Sequence, residues 1–99
     1  MSDLQLSIHH NEQSQRFETT VDGTTAYISY VDNDVIVYNH TIVPDAIGGR
    51  GIAGALTKHA LDYARKQGKK VMPACSYVAS YLQNHPEYND LKYNDLKIQ

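Results

Sequence analysis

The sequence predicts one small α/β (α+β) domain: a mostly antiparallel mixed sheet flanked by two helices. Three observations predict it. Up to Val43, apolar and polar positions alternate in short runs separated by turn residues, which is the period of strands. Three glycines, Gly48, Gly49 and Gly51, then precede a long run with helical spacing. A short apolar strand and a shorter helical run complete the chain. At 99 residues it holds a single minimal domain, 1–99, with 88–99 expected as a flexible tail.

Leu4, Leu6 and Ile8 alternate with Gln5, Ser7 and His9, which places a first strand at 4–8 and a polar connector at 10–14. Phe17, Thr19 and Val21 form one face of a second strand. Asp22-Gly23 is a two-residue hairpin signal, because both residue types tolerate positive φ. A third strand is expected over 25–31, and Asp32-Asn33-Asp34 turns the chain again. The next run, 35–43, is apolar on both faces: Val35, Val37 and Val43 on one, Ile36, Tyr38 and Ile42 on the other. It is therefore expected to be central and covered on both sides.

A helix is expected over 51–67, with Ile52, Leu56, Ala60 and Tyr63 or Ala64 along its apolar stripe. Arg65 and Lys66 suit its negative end, and Gly68 is a natural C′ residue. Residues 71–75 read as a strand in which Pro73 marks an edge or bulge. Ser76 caps a second helix to about Asn84, which His85-Pro86 ends. The pentapeptide Tyr-Asn-Asp-Leu-Lys occurs at 88–92 and again at 93–97. A period of five fits neither helix nor strand, and the repeat carries no functional reading.

A formal net charge of -2 gives no reason to expect nucleic acid or an anionic membrane as partner. Cys75 is a single cysteine, which excludes an internal disulfide and suits a reducing compartment. The start Met1-Ser2-Asp3-Leu4 shows no secretory signal, and no apolar run approaches the ~20 residues that span a bilayer. A soluble, cytoplasmic protein is expected, as a monomer or weak homodimer. His9 and His10 are adjacent on a strand and so point to opposite faces, and His59 has no partner at ligand spacing. No metal is expected.

The glycine cluster carries the functional argument. Glycine lets backbone approach a ligand closely, and a helix behind it aims free N–H groups and a positive dipole end at the loop, as phosphate requires. Gly49, Gly51 and Gly54 spell G-x-G-x-x-G, the dinucleotide fingerprint. That fingerprint belongs after the first strand of a βαβ unit, with an acidic residue ~20 positions on. Here hairpin-linked strands precede the loop, and 71–75 ends without Asp or Glu. The dinucleotide reading fails on context.

Gly49-Arg50-Gly51-Ile52-Ala53 instead resembles the pyrophosphate loop of acyl-CoA-dependent N-acetyltransferases, and the order of elements resembles the GNAT superfamily. Of that family's loop pattern, Gln/Arg-x-x-Gly-x-Gly/Ala, Gly51 and Ala53 fill the last two defined positions. Gly48 stands where Gln or Arg is preferred, so a side-chain contact is missing while the backbone cradle remains. Ser76, Ala79, Leu82 and Tyr88 match the family's last-helix motif loosely. Gln83 stands there in place of a frequent catalytic tyrosine, and Glu87 in place of glycine. His40-Thr41, Cys75 and His85-Pro86-Glu87-Tyr88 bring the likeness closer to a small single-domain subgroup of roughly 90–100 residues. The resemblance spans 35–88.

The resemblance implies an acyltransferase that binds acetyl-CoA (coenzyme A) and passes the acetyl group to an amine by direct attack in a ternary complex. The strand ending at Val43 would part from its neighbour to admit pantetheine, whose amides would pair with backbone at Ile42 and Val43. Gly48, Gly49, Arg50, Gly51, Ile52 and Ala53 would take the pyrophosphate. A backbone N–H polarising the thioester carbonyl is worth about 3 kcal/mol. His40 is the candidate acceptor of the amine proton, with a buried structural histidine as its alternative. Cys75 lies between a strand end and a helix start, where a thiol pKa falls. It would protonate the departing sulfur in place of the missing tyrosine or carry the acetyl group; otherwise it is a small buried hydrophobe. Tyr77 and Tyr81, at i and i+4, are rival phenols or core residues. Typical members place one or two helices between the first two strands, where this chain has a short connector. That leaves an open acceptor side, suited to a protein, a peptide or a polyamine end, with a small amine also allowed. The rival from another class is a non-catalytic acyl-CoA-binding module, which Gln83 favours.

Overall fold

The computed structural model describes residues 6–93. Five strands form one sheet in sequence order: β1 (His9–Asn11), β2 (Arg16–Val21), β3 (Thr24–Asp32), β4 (Ile36–Ile42) and β5 (Val71–Pro73). The first three pairings are antiparallel and β4–β5 is parallel. Helix α1 (Ile52–Gln67) makes the crossover that a parallel pair requires, and α2 (Ser76–Asn84) follows β5. The expected architecture, a mostly antiparallel sheet with two helices, is the one observed.

The β2–β3 turn is the predicted one, with Asp22 at φ 51 and Gly23 at φ 78. Helix α1 starts behind Gly51 and stops at Gly68, whose φ of 69 lets its N–H reach back to the carbonyls of Ala64 and Arg65. Its stripe of Ile52, Leu56, Ala60, Leu61 and Ala64 packs against Phe17, Ile28, Tyr30, Ile36 and Tyr38 of the sheet. Tyr38 is fully buried, and its hydroxyl donates to the Ala60 carbonyl at 2.5 Å, so no polar atom is stranded. Val78 and Leu82 bring α2 into the same core.

Three expectations are corrected. Residues 6–8, expected in the first strand, lie outside any strand, and positions 4 and 5 lie outside the described residues. The first strand among the described residues is His9–Asn11, where residues assigned to a connector pair with β2. His10 behaves there as an aromatic residue, stacked 4.3 Å from Phe17 with its Nε2 2.5 Å from the Tyr30 hydroxyl. Secondly, among the described residues β4 is covered on one face only. Ser29 pairs with His40 but Tyr30 pairs with Tyr38, so Asn39 is an extra residue, a β-bulge that shifts the alternation. Ile42 therefore joins Val37 on the face away from the helices and is 43% exposed. That face carries no helix among the described residues, and Val31 and Met72 are exposed on it. Thirdly, the first part of the expected tail packs onto the core, while 94–99 lie outside the described residues. A 3-10 segment, Pro86–Leu91, buries Tyr88 and Leu91, and Lys92 bridges to Val71. Most of the second pentapeptide lies outside the described residues.

Candidate active site

The sheet opens where β4 and β5 part. Their register runs through three pairs only, the last being Tyr38 with Pro73. The Tyr38 carbonyl then accepts both the Ala74 N–H (3.0 Å) and the Cys75 N–H (3.1 Å), which turns the chain out of the sheet and into α2. Pro73 suits the end of a ladder because it has no N–H to contribute further. β4 continues to Ile42, so 39–42 run beyond the last β5 partner. Val43 packs partly against the core. A 3-10 turn, Asp45–Ile47, anchored by the buried Ile47, carries the chain into the glycine loop.

Gly49 and Gly51 both sit at φ 75, a left-handed conformation that other residue types adopt at a cost. Gly51 is the N-cap of α1 and supplies no side-chain acceptor, and the first turn contains no acidic residue. At the other end Arg65, Lys66 and Gly68 complement the helix. The 16-residue helix thus has a satisfied C-terminus and an N-terminus whose N–H groups lack a side-chain cap. Gly48, Gly49, Arg50 and Gly51 are exposed, while the Ile52 side chain is buried, so Ile52 contributes backbone only. Ala53 is half-buried, and its carbonyl accepts the Thr57 hydroxyl at 2.8 Å. This donor set fits a diphosphate: uncapped N–H groups, no neighbouring acid in the turn, and one guanidinium. Arg50 donates to Asp22 of the β2–β3 turn at 2.8 Å.

Cys75, rather than Ser76, is the N-cap residue of α2. Its Sγ lies 3.5 Å from the Thr41 hydroxyl, across the gap between the strands. Burial pushes the thiol pKa up, but the Thr41 hydroxyl and the N–H groups of Val78, Tyr77 and Thr41 stabilise the thiolate more. The net pKa lies below the ordinary thiol value.

His40 is not brought to Cys75. Thr41 pairs with the core residue Ile28 and so faces the helices, whereas His40 pairs with Ser29 and faces the opposite side. His40 is exposed, which also removes its reading as a buried structural histidine. The two candidates therefore flank the same strand from opposite faces. Of the rival phenols, the Tyr77 hydroxyl lies over the first turn of α1, 3.5 Å from where a Cβ on Gly54 would stand. Tyr81 stacks on His85 at 3.8 Å instead. Gln83 is exposed beside Pro73, Ala79 and Leu82. Two contacts escaped sequence reasoning, Thr41 to Cys75 and Asp22 to Arg50. They join residues 34 and 28 positions apart, and no local pattern signals either.

The GCN5-related N-acetyl-transferase family model matches residues 16–91. Protein NATD1 of Mus musculus is 32% identical over 85 residues, covering 82% of this chain and 77% of its own length. Protein NATD1 of Homo sapiens is 31% identical over 85 residues, with 82% and 75% covered. Among solved structures, the solution structure of a GCN5-like protein from Staphylococcus aureus, described as a candidate N-acetyltransferase, matches with a TM-score of 0.71. It is 31% identical, and the match covers 91% of this chain and 90% of that one.

Proposed function

This chain belongs to the GCN5-related N-acetyltransferase family, and we propose that it transfers the acetyl group of acetyl-CoA to an amine by direct attack in a ternary complex. One observation carries the reading. β4 runs on past its last β5 partner with Cys75 on one face of it and His40 on the other, and the Tyr77 hydroxyl of α2 lies over the uncapped first turn of α1.

The N–H groups of the loop, from Gly48 and Gly49 through Gly51 to Ile52 and Ala53, hold the diphosphate, and Arg50 adds charge. Backbone at Ile42 and Val43 pairs with the pantetheine amides. A fixed N–H at this edge stabilises developing negative charge on the carbonyl oxygen, and the cofactor supplies an activated thioester when bound. His40, on the exposed face, takes the proton of the incoming ammonium, directly or through water. Cys75, on the helix face, gives a proton to the departing sulfur, with Thr41 orienting its Sγ. The position of Gln83 leaves the acid role to Cys75.

Steady-state acetylation of an amine panel tests this, with wild type compared with Cys75→Ala and His40→Ala. Each substitution is expected to lower kcat by about a hundredfold with little change in KM, as loss of a general acid or base does. Wild-type binding of acetyl-CoA without turnover of any amine would instead identify a non-catalytic acyl-CoA-binding module.

A further inference from the structure

The Arg50–Asp22 ion pair ties the glycine loop to the β2–β3 turn, 28 positions away in sequence. Both partners are exposed (44% for Arg50 and 69% for Asp22), so the pair is held weakly and either member returns to water at little cost. Arg50 stands between two glycines at φ 75, in a loop that offers no other cationic side chain. The same guanidinium thus has two claimants: the Asp22 carboxylate and any dianion settling on the start of α1. A diphosphate offers several acceptor oxygens and more charge, and it meets the planar fork of arginine with paired hydrogen bonds.

We propose that Asp22 is a positioning residue for the cofactor diphosphate, holding Arg50 on the β2–β3 turn in the free protein and surrendering it when the diphosphate binds. The ion pair then acts as an internal competitor that sets cofactor affinity. This rests on reading the loop as a diphosphate site.

Titration calorimetry of CoA against wild type, Asp22→Asn, Arg50→Gln and the double variant tests it, with pantetheine, which lacks the diphosphate, as the parallel ligand. Asparagine tolerates the positive φ at this turn position, so the hairpin survives the substitution. Asp22→Asn is expected to tighten CoA binding about twofold to fivefold, the scale of an exposed ion pair. Arg50→Gln is expected to weaken binding, the double variant to match Arg50→Gln, and pantetheine binding to stay unchanged throughout. Unchanged or weaker binding by Asp22→Asn would overturn the proposal, since Asp22 would then be inert or would aim Arg50 at the ligand. Tightening that survives in the Arg50→Gln background would overturn it too, by assigning the effect to charge repulsion alone. Wild type that stays folded but binds no CoA is a separate outcome; it removes the diphosphate reading and the proposal with it.

Discussion

At Cys75, burial alone would keep the thiol protonated. The Thr41 hydroxyl and the N–H groups at the start of α2 reverse that, and the thiolate forms more readily than in a free cysteine. The consequence is measurable without any substrate. Alkylation of Cys75 by iodoacetamide, followed against pH, is expected to show a midpoint below that of a free cysteine peptide. Thr41→Val removes the hydroxyl that contacts Sγ and is expected to move the midpoint upward. An unmoved midpoint would show that the backbone N–H groups act without the hydroxyl. The same shift has a sign for stability. A folded-state thiol pKa below the unfolded value adds stability that is present above the unfolded pKa and is lost as pH falls through the folded one. Cys75→Ala is therefore expected to lose the stability that wild type gains on the alkaline side of neutrality, read as urea midpoints at two pH values. His40 stands on the far side of β4, exposed and beside Ser29, so it makes no direct contact with Cys75.

The glycines around α1 separate by conformation, not by position in a motif. Gly49 and Gly51 sit at φ 75, and replacing either with alanine is expected to cost about 1–2 kcal/mol in urea denaturation. Gly54 is different. It lies inside α1 with ordinary φ, and a Cβ there makes a normal contact, 3.5 Å from the Tyr77 hydroxyl. Gly54→Ala is expected to raise stability by about 0.5–1 kcal/mol. A loss would mean that the Tyr77 phenol cannot give way. The third glycine of the apparent dinucleotide fingerprint therefore has no backbone demand to meet, which agrees with rejecting that reading from context. What was legible in the sequence follows the same logic. α1 could be bounded to within a residue because Gly51 and Gly68 punctuate it and its apolar stripe is regular. β1 was misplaced because its inward residue is His10, which composition marks as polar but which packs as a ring between Phe17 and Tyr63. The two-sided reading of β4 failed at Asn39. A bulge moves Ile42 to the other face, and counting by twos cannot see it. The cysteine and the loop were visible as residue types, but the contacts that define their chemistry cross from one element to another.

The whole molecule closes through its last described segment. Tyr88 and Leu91 complete the core, the Tyr88 hydroxyl donates to Asp62 of α1 at 2.8 Å, and Arg65 lies over the Tyr88 ring while pairing with Asp90 at 2.6 Å. Tyr30 and Tyr38 sit in the same core between the sheet and α1. All three phenols are therefore harder to ionise than ordinary tyrosine. Burial raises Tyr30 to about 12, assisted by the charges of Tyr63, Asp32 and Glu12. Burial also raises Tyr38, next to Tyr30, and Tyr88, where the bond to Asp62 adds to it. A raised folded-state pKa means stability that is complete below the unfolded value of 10.0 and is lost as pH climbs toward the folded one. The phenols are thus expected to leave the urea midpoint unaffected up to about pH 10 and to weaken the fold steeply beyond it. Absorbance at tyrosinate wavelengths is expected to rise in two stages, exposed phenols first and the buried ones together with loss of far-UV circular dichroism. Tyr88→Phe removes one ionising group and is expected to make the alkaline decline shallower while lowering stability at neutral pH through the lost bond to Asp62. A single tyrosine transition near pH 10 with the fold intact would show that these phenols reach water without unfolding, and that the C-terminal segment opens independently of the core.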